Sequence, residues 1–212
     1  FFSKLNAKNR EIDQLKMELN SMKVKMSRVE EKLDESDSSD RRDTVVLSGA
    51  AVPRYSSGEN CRQLVGNLFK NELNISVAPG DISSSHRFGP APRNNESDNR
   101  GIVIKFARTN LKHEIMSTCR EHKPDFYVNE SLTPLRSTIL YVLRQIRRKH
   151  PTLVSGCGSR DGRIYAWIKP RDGDSSTGKN TRITINSQTR LEQFCAETVK
   201  APLNAFITTW PH

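Results

Sequence analysis

The chain has 212 residues, with 34 Lys and Arg against 24 Asp and Glu, a formal net charge of +10. A surplus of that size points to polyanion partners, either nucleic acid or an anionic membrane surface. No apolar run approaches the roughly 20 residues needed to span a bilayer, and no secretory pattern of basic, apolar and small-residue regions is visible.

The surplus is uneven. Residues 1–38 hold eight basic and eight acidic side chains, residues 39–125 carry +3 and residues 126–212 carry +7. Charge gathered in one region suggests a binding face rather than general solubility. Cys61, Cys119, Cys157 and Cys195 are isolated, form no CxxC pair and stand at no metal-ligand spacing from the five histidines. Reduced cysteines and no metal or other cofactor are the expectation. The sequence opens on Phe1 rather than Met, as a fragment of a longer chain would.

Residues 1–38 are expected to be a coiled-coil helix. Apolar residues fall at Ile12, Leu15, Leu19, Met22, Met26, Val29 and Leu33 in strict 3-4 alternation, which leaves a narrow seam that a lone helix cannot bury. With Ile12 at position a, each g residue meets an opposite charge at the following e position: Glu11 with Lys16, Glu18 with Lys23, Lys25 with Glu30. Parallel, in-register chains suit that pairing. The run from Asp34 to Asp40 then reads as a polar ending to the helix, with 39–42 as a linker.

Residues 43–129 read as a small α/β sandwich. Thr44–Gly49 is a β-branched strand, Asn60–Leu73 a helix, Ile82–Phe88 a short strand, and Pro90 to Arg100 a polar loop. Gly101–Phe106 is a second strong strand, Leu111–Arg120 a helix and Asp125–Asn129 a last strand. The order β-α-β-β-α-β is that of ferredoxin-like domains, including RNA-recognition motifs. Arg100-Gly101 is placed like the start of their aromatic motif, but Ile102 and Ile104 stand where stacking aromatics belong. Binding should therefore lean on phosphates and discriminate little between sequences. His86, Arg87, Arg93 and Arg100 flank the loop and are candidates to line a strand-tracking groove.

Residues 130–212 read as a small basic α/β domain. Thr133-Pro134 starts a helix whose Leu135, Ile139, Val142, Leu143 and Ile146 share one face. Arg136, Arg144, Arg147 and Arg148 fall on another, with no acidic residue between Ser131 and Ser159, so that face calls for an external anion. Asp161-Gly162 supplies a hairpin turn before Arg163–Ile168, Ile183–Ile185 is a further strand and Leu191–Val199 a closing helix. Tyr165 and Trp167 could stack on bases, although core packing is the commoner fate of such residues. Gly173 to Asn180 nearly fits the GxxxxGK[ST] phosphate loop, but Asn180 replaces the Mg²⁺-binding hydroxyl and a strand-like run follows where a helix is needed. No catalytic constellation is present in the sequence, and a non-enzyme is expected.

Coiled coil, variant RNA-recognition domain and basic α/β domain, in that order, give an α+β protein that resembles the first-open-reading-frame proteins of LINE-type (non-LTR) retrotransposons. The resemblance spans the chain and rests on Thr44–Gly49, His86–Gly89, Arg100–Phe106 and Asn129–Pro134. Lys25-Met26-Ser27-Arg28-Val29-Glu30 is similar to the family's trimer motif, with Lys25 in place of Arg, which leaves a dimer as the alternative to a homotrimer. The resemblance implies a nucleic-acid chaperone that coats the element's RNA in cytoplasmic ribonucleoprotein particles, with a nuclear pool as a further expectation. It implies single-stranded RNA, single-stranded DNA, further copies of the chain and the element's reverse transcriptase as partners, and no membrane. By position, family nucleic-acid contacts match Arg87, Arg93, Arg100, Arg120 and Arg136. With Lys105, Arg144, Arg147 and Arg148 these are the candidate binding residues. Ile12, Leu15, Leu19, Met22, Lys25, Met26, Val29, Glu30 and Leu33 are the candidate oligomerisation residues. The alternative is a coiled-coil scaffold whose folded part binds an acidic protein or an anionic membrane surface.

Overall fold

A computed structural model describes residues 2–89, 100–170 and 179–207, as two compact units, Phe1–Asp37 and Ser38–His212. Helix α1 runs Phe2–Asp40, 39 residues without a break. Its end differs from expectation: the run from Asp34 to Asp40 stays helical and only residues 41–43 form a turn. No Pro or Gly precedes Gly49, and Asp and Ser are weak helix formers rather than breakers, so nothing local stops the helix. Along the first unit the seam residues are solvent-exposed in the single chain, from 47% at Ile12 to 69% at Leu33. Met17 and Val24 are exposed as well, off the seam.

The second unit is mixed α+β with two antiparallel sheets. Its elements run β1 (Thr44–Gly49), α2 (Cys61–Leu73), β2 (Ile82–Arg87), β3 (Ile102–Phe106), α3 (Thr109–His122), β4 (Phe126–Glu130), α4 (Pro134–Lys149), β5 (Val154–Arg160), β6 (Arg163–Ile168), β7 (Thr181–Thr184) and α5 (Gln188–Phe194). Strands order β2-β3-β1-β4 in the first sheet and β5-β6-β7 in the second. Local chemistry starts the helices. Asn60 accepts from the Gln63 amide at the start of α2, and Thr133 accepts from the Arg136 amide at the start of α4, with Pro134 in the first turn.

Two apolar cores form, one per sheet. Val45, Leu47, Ile102, Ile104 and Phe106 meet Val65, Phe69 and Ile115 of α2 and α3. Ile139, Val142, Leu143 and Ile146 of α4 meet Val154, Ile164, Ala166 and Ile168, and α5 closes that core with Leu191 and Phe194. Cys119 packs against the first core and Cys195 lies in the second, and burial pushes both thiols up to about 11.

The register corrects one reading of β3. Ile102 and Ile104 are fully buried toward the helices, so they do not occupy the stacking positions of an open face. The open face carries Val103 and Lys105 instead, with Val103 opposite Val46 and Lys105 opposite Thr44. Gly101 has a separate, steric reason to be glycine: a Cβ there would stand 2.6 Å from the Leu47 carbonyl oxygen.

A buried polar hub joins the two cores. The Lys112 Nζ, with no solvent exposure, donates to the Arg42 carbonyl at 2.6 Å, Glu130 Oε1 at 3.0 Å and Asp161 Oδ1 at 2.8 Å. Three acceptors use all three ammonium protons. Glu130 accepts in turn from the Asp161 amide at 2.6 Å, and His113 Nε2 lies 2.7 Å from Asp161 Oδ1. Asp161 and Gly162 have φ of 54° and 77°, so the β5–β6 hairpin turns as a type I′ pair. That turn serves as the peg on which α3, β4 and α4 converge.

Candidate nucleic-acid interface

The expected binding residues separate into three groups. Arg87 and Arg136 are structural, which corrects their assignment as nucleic-acid contacts. Arg87 is 8% exposed and grips Glu59 with two hydrogen bonds, Nε to Oε1 at 2.7 Å and Nη2 to Oε2 at 2.8 Å. It also donates to the Pro53 and Arg100 carbonyls, and its hydrogen bond holds the Glu59 carboxyl below the ordinary range. Arg136 is 2% exposed and donates to Ser38 Oγ at 2.6 Å and the Gly162 carbonyl at 3.0 Å. Each guanidinium is desolvated and committed to protein acceptors, so neither can reach a phosphate while the fold is intact.

Arg100 is half-buried, donates to the Gly89 carbonyl at 2.7 Å and lies 5.8 Å over the Tyr55 ring. Arg93, with the rest of residues 90–99, lies outside the described residues. Lys105 is exposed on the open face of the first sheet.

Arg120, Arg144, Arg147 and Arg148 are exposed and form no ion pair among the described residues. Arg120 and Arg144 are brought together. They border a cleft of about 1000 Å³ that runs between the two sheets, with Arg41, Arg160 and Arg182 on the same walls. Glu130 is the one carboxylate among the described residues lining it, and Glu130 is spent on Lys112. Arg120, Arg144 and Arg182 form no ion pair among the described residues, Arg160 lies 3.9 Å from Asp161 and Arg41 has an interaction of its own, while the cleft's one lining carboxylate among the described residues is already committed. Low-dielectric walls focus such a field toward an anion in the cleft. Arg147, which is not among the lining residues, lies one turn further along α4. Burial pushes the Cys157 thiol up, and the nearby Arg144 and Arg147 charges oppose that shift, which places both beside β5.

Sequence reasoning misses Arg41 and Arg160. Arg41 falls in the expected linker, where a binding role is not anticipated. Arg160 adjoins the hairpin turn, where Asp161 lies 3.9 Å away and masks its sign in any local count. A further property is not readable from residue types: the cleft is bordered by two edge strands, β4 with Asn129 and β5 with Ser159. The near-match to a phosphate loop falls mostly outside the described residues, but β7 begins at Thr181, directly after Lys179 and Asn180. A phosphate loop needs a helix there.

Among the described residues no group of three His, Cys, Asp or Glu side chains could hold a metal ion, and no helix is long and apolar enough to cross a membrane. No protein-family model matches the chain, and no curated protein matches it either.

Proposed function

We propose that this chain is a non-enzymatic, self-assembling protein that coats single-stranded RNA, and single-stranded DNA as well, through phosphate contacts. The observation that carries the reading is the cleft: Arg120, Arg144 and Arg182 line it without an ion pair among the described residues, and its one carboxylate among them is neutralised from within the protein. The reading assigns the first sheet, with its β-α-β-β-α-β chain order and β2-β3-β1-β4 strand order, to a ferredoxin-like domain of the RNA-recognition type. It assigns α1 to a parallel coiled coil, since seven seam residues at heptad spacing are unburied in one copy. The combination supports a role like that of the first-open-reading-frame proteins of LINE elements: chaperones that package the element's RNA in cytoplasmic particles.

Titrating salt against binding of a single-stranded oligoribonucleotide tests the central claim. Affinity should fall linearly on logarithmic axes with little dependence on base sequence, and a flat salt response ends the proposal. The stalk has its own test. Leu19→Asp introduces a charge at a seam position, so light scattering should report a drop from a trimer's mass to that of a single chain. Oligonucleotide affinity should fall with it by about 10²-fold or more, because linked copies act at high effective concentration. A dimer's mass in the unmutated protein would correct the trimer.

The two edge strands favour a second reading, in which an extended acidic peptide adds to β4 or β5. Binding of an acidic protein that survives nuclease treatment would distinguish it.

A further inference from the structure

The second sheet has one face on its core and the other on the cleft. Ile164, Ala166 and Ile168 of β6 are buried in the core, so Tyr165 and Trp167 project to the opposite side. Across the ladder from them β5 places Gly158 and Gly156. A Cβ at Gly156 would meet the benzo ring of Trp167 at 3.4 Å, and one at Gly158 would meet it at 3.7 Å. Two residues without side chains thus leave a lane in which the indole rests against backbone. Tyr165 steadies it, with ring centroids 6.3 Å apart, and is itself covered by Arg182, whose Cζ lies 4.6 Å over the phenol ring. Trp167 is only half-buried and borders the cleft. Its indole N–H has no acceptor among the described residues, nor is it a buried unsatisfied group, so it opens to solvent. An indole with a half-open ring beside the cleft leaves aromatic surface available to a ligand.

We infer that Trp167 is a stacking platform for an unpaired nucleobase, with the strand's phosphates held by the cleft arginines. The inference rests on the reading of the cleft as a single-strand site and adds that the second sheet makes the base contact. The open face of β3, with Val103 and Lys105, offers charge but no aromatic surface. An indole fixed by its own backbone bed loses little freedom when a base lands on it, and any base can stack, so stacking adds affinity without sequence choice.

The chain has two tryptophans, so Trp210→Phe leaves Trp167 as the sole indole fluorophore. In that protein a single-stranded oligoribonucleotide should quench the emission. The same oligomer built of abasic sugars should leave it unchanged and bind roughly tenfold more weakly. Trp167→Leu should weaken binding of the base-bearing oligomer by a similar factor and leave the abasic one unaffected. Equal affinity for the two oligomers with no quenching overturns the stacking inference, while a persisting salt dependence leaves the phosphate reading standing. Absence of binding to both overturns the two together. The quenching and abasic comparisons keep Trp167 intact, so a folding defect in Trp167→Leu does not blunt the test.

Discussion

Lys112→Ala is expected to lower the free energy of unfolding by about 3–5 kcal/mol, the cost of deleting one partner of a buried ion pair. The Glu130 carboxylate is 4% exposed and would lose its main counter-ion, and the Arg42 carbonyl would lose its donor. For a unit of this size each kcal/mol moves the melting temperature by about 2–4 °C, so a fall of roughly 10 °C should appear in a thermal scan. Lys112→Met should be nearly as damaging, because it fills the space and still strands the carboxylates. An unchanged melting temperature would show that the hub does not hold the cores together.

The hub also has a pH signature. Burial alone would raise the Asp161 carboxyl, but hydrogen bonds from Lys112 and His113 outweigh it and hold the group below its ordinary value of 3.8. A depressed carboxyl contributes stability that is present above the unfolded value and is lost as pH falls through the folded one. Acid unfolding below about pH 4 should therefore steepen in the native protein, and Asp161→Asn should remove part of that steepness.

The second large effect concerns binding. Replacing Arg120, Arg144 and Arg147 together with Ala should leave the melting temperature nearly unchanged, since none of the three forms an ion pair among the described residues. Single-strand affinity should fall about 50-fold at ~0.15 M salt, and the salt slope should flatten by about 2, at roughly 0.7 for each phosphate left without its arginine. Arg136→Ala gives the contrast: its guanidinium holds Ser38 and Gly162, so it should cost stability first and binding only as a consequence. If Arg136→Ala instead weakened binding in a fully stable protein, the division between structural and ligand-facing arginines would be wrong.

That division marks how far residue patterns carry. The Asp161-Gly162 turn is legible because its chemistry is local: two adjacent residues that tolerate positive φ between strand-forming runs. Thr133-Pro134 is legible for the same reason. Arg87 and Arg136 are not, because their partners are distant in sequence; Glu59 is 28 residues from Arg87, and Ser38 is 98 from Arg136. On a helical wheel Arg136 shares a face with Arg147. What buries one and exposes the other is the hairpin that lands on the first turn of α4. The β3 register misleads because Ile102 and Ile104 resemble substitutions within an aromatic motif, whereas the sheet uses them as core. The cleft itself is invisible in the sequence, as its walls come from several separate elements and a turn. Only the concentration of charge after residue 126 hints at it.

The buried thiol of Cys195 gives the second core an internal clock. Cys195 is buried in one core and Cys119 lies half-buried against the other, and at neutral pH both are almost wholly protonated, so reaction of Cys195 with a thiol reagent waits for its surroundings to open. The alkylation rate at Cys195 then measures how readily the second core opens. A slow rate is expected while the Lys112 ammonium sits in its three-oxygen cage, and a faster one once it is gone.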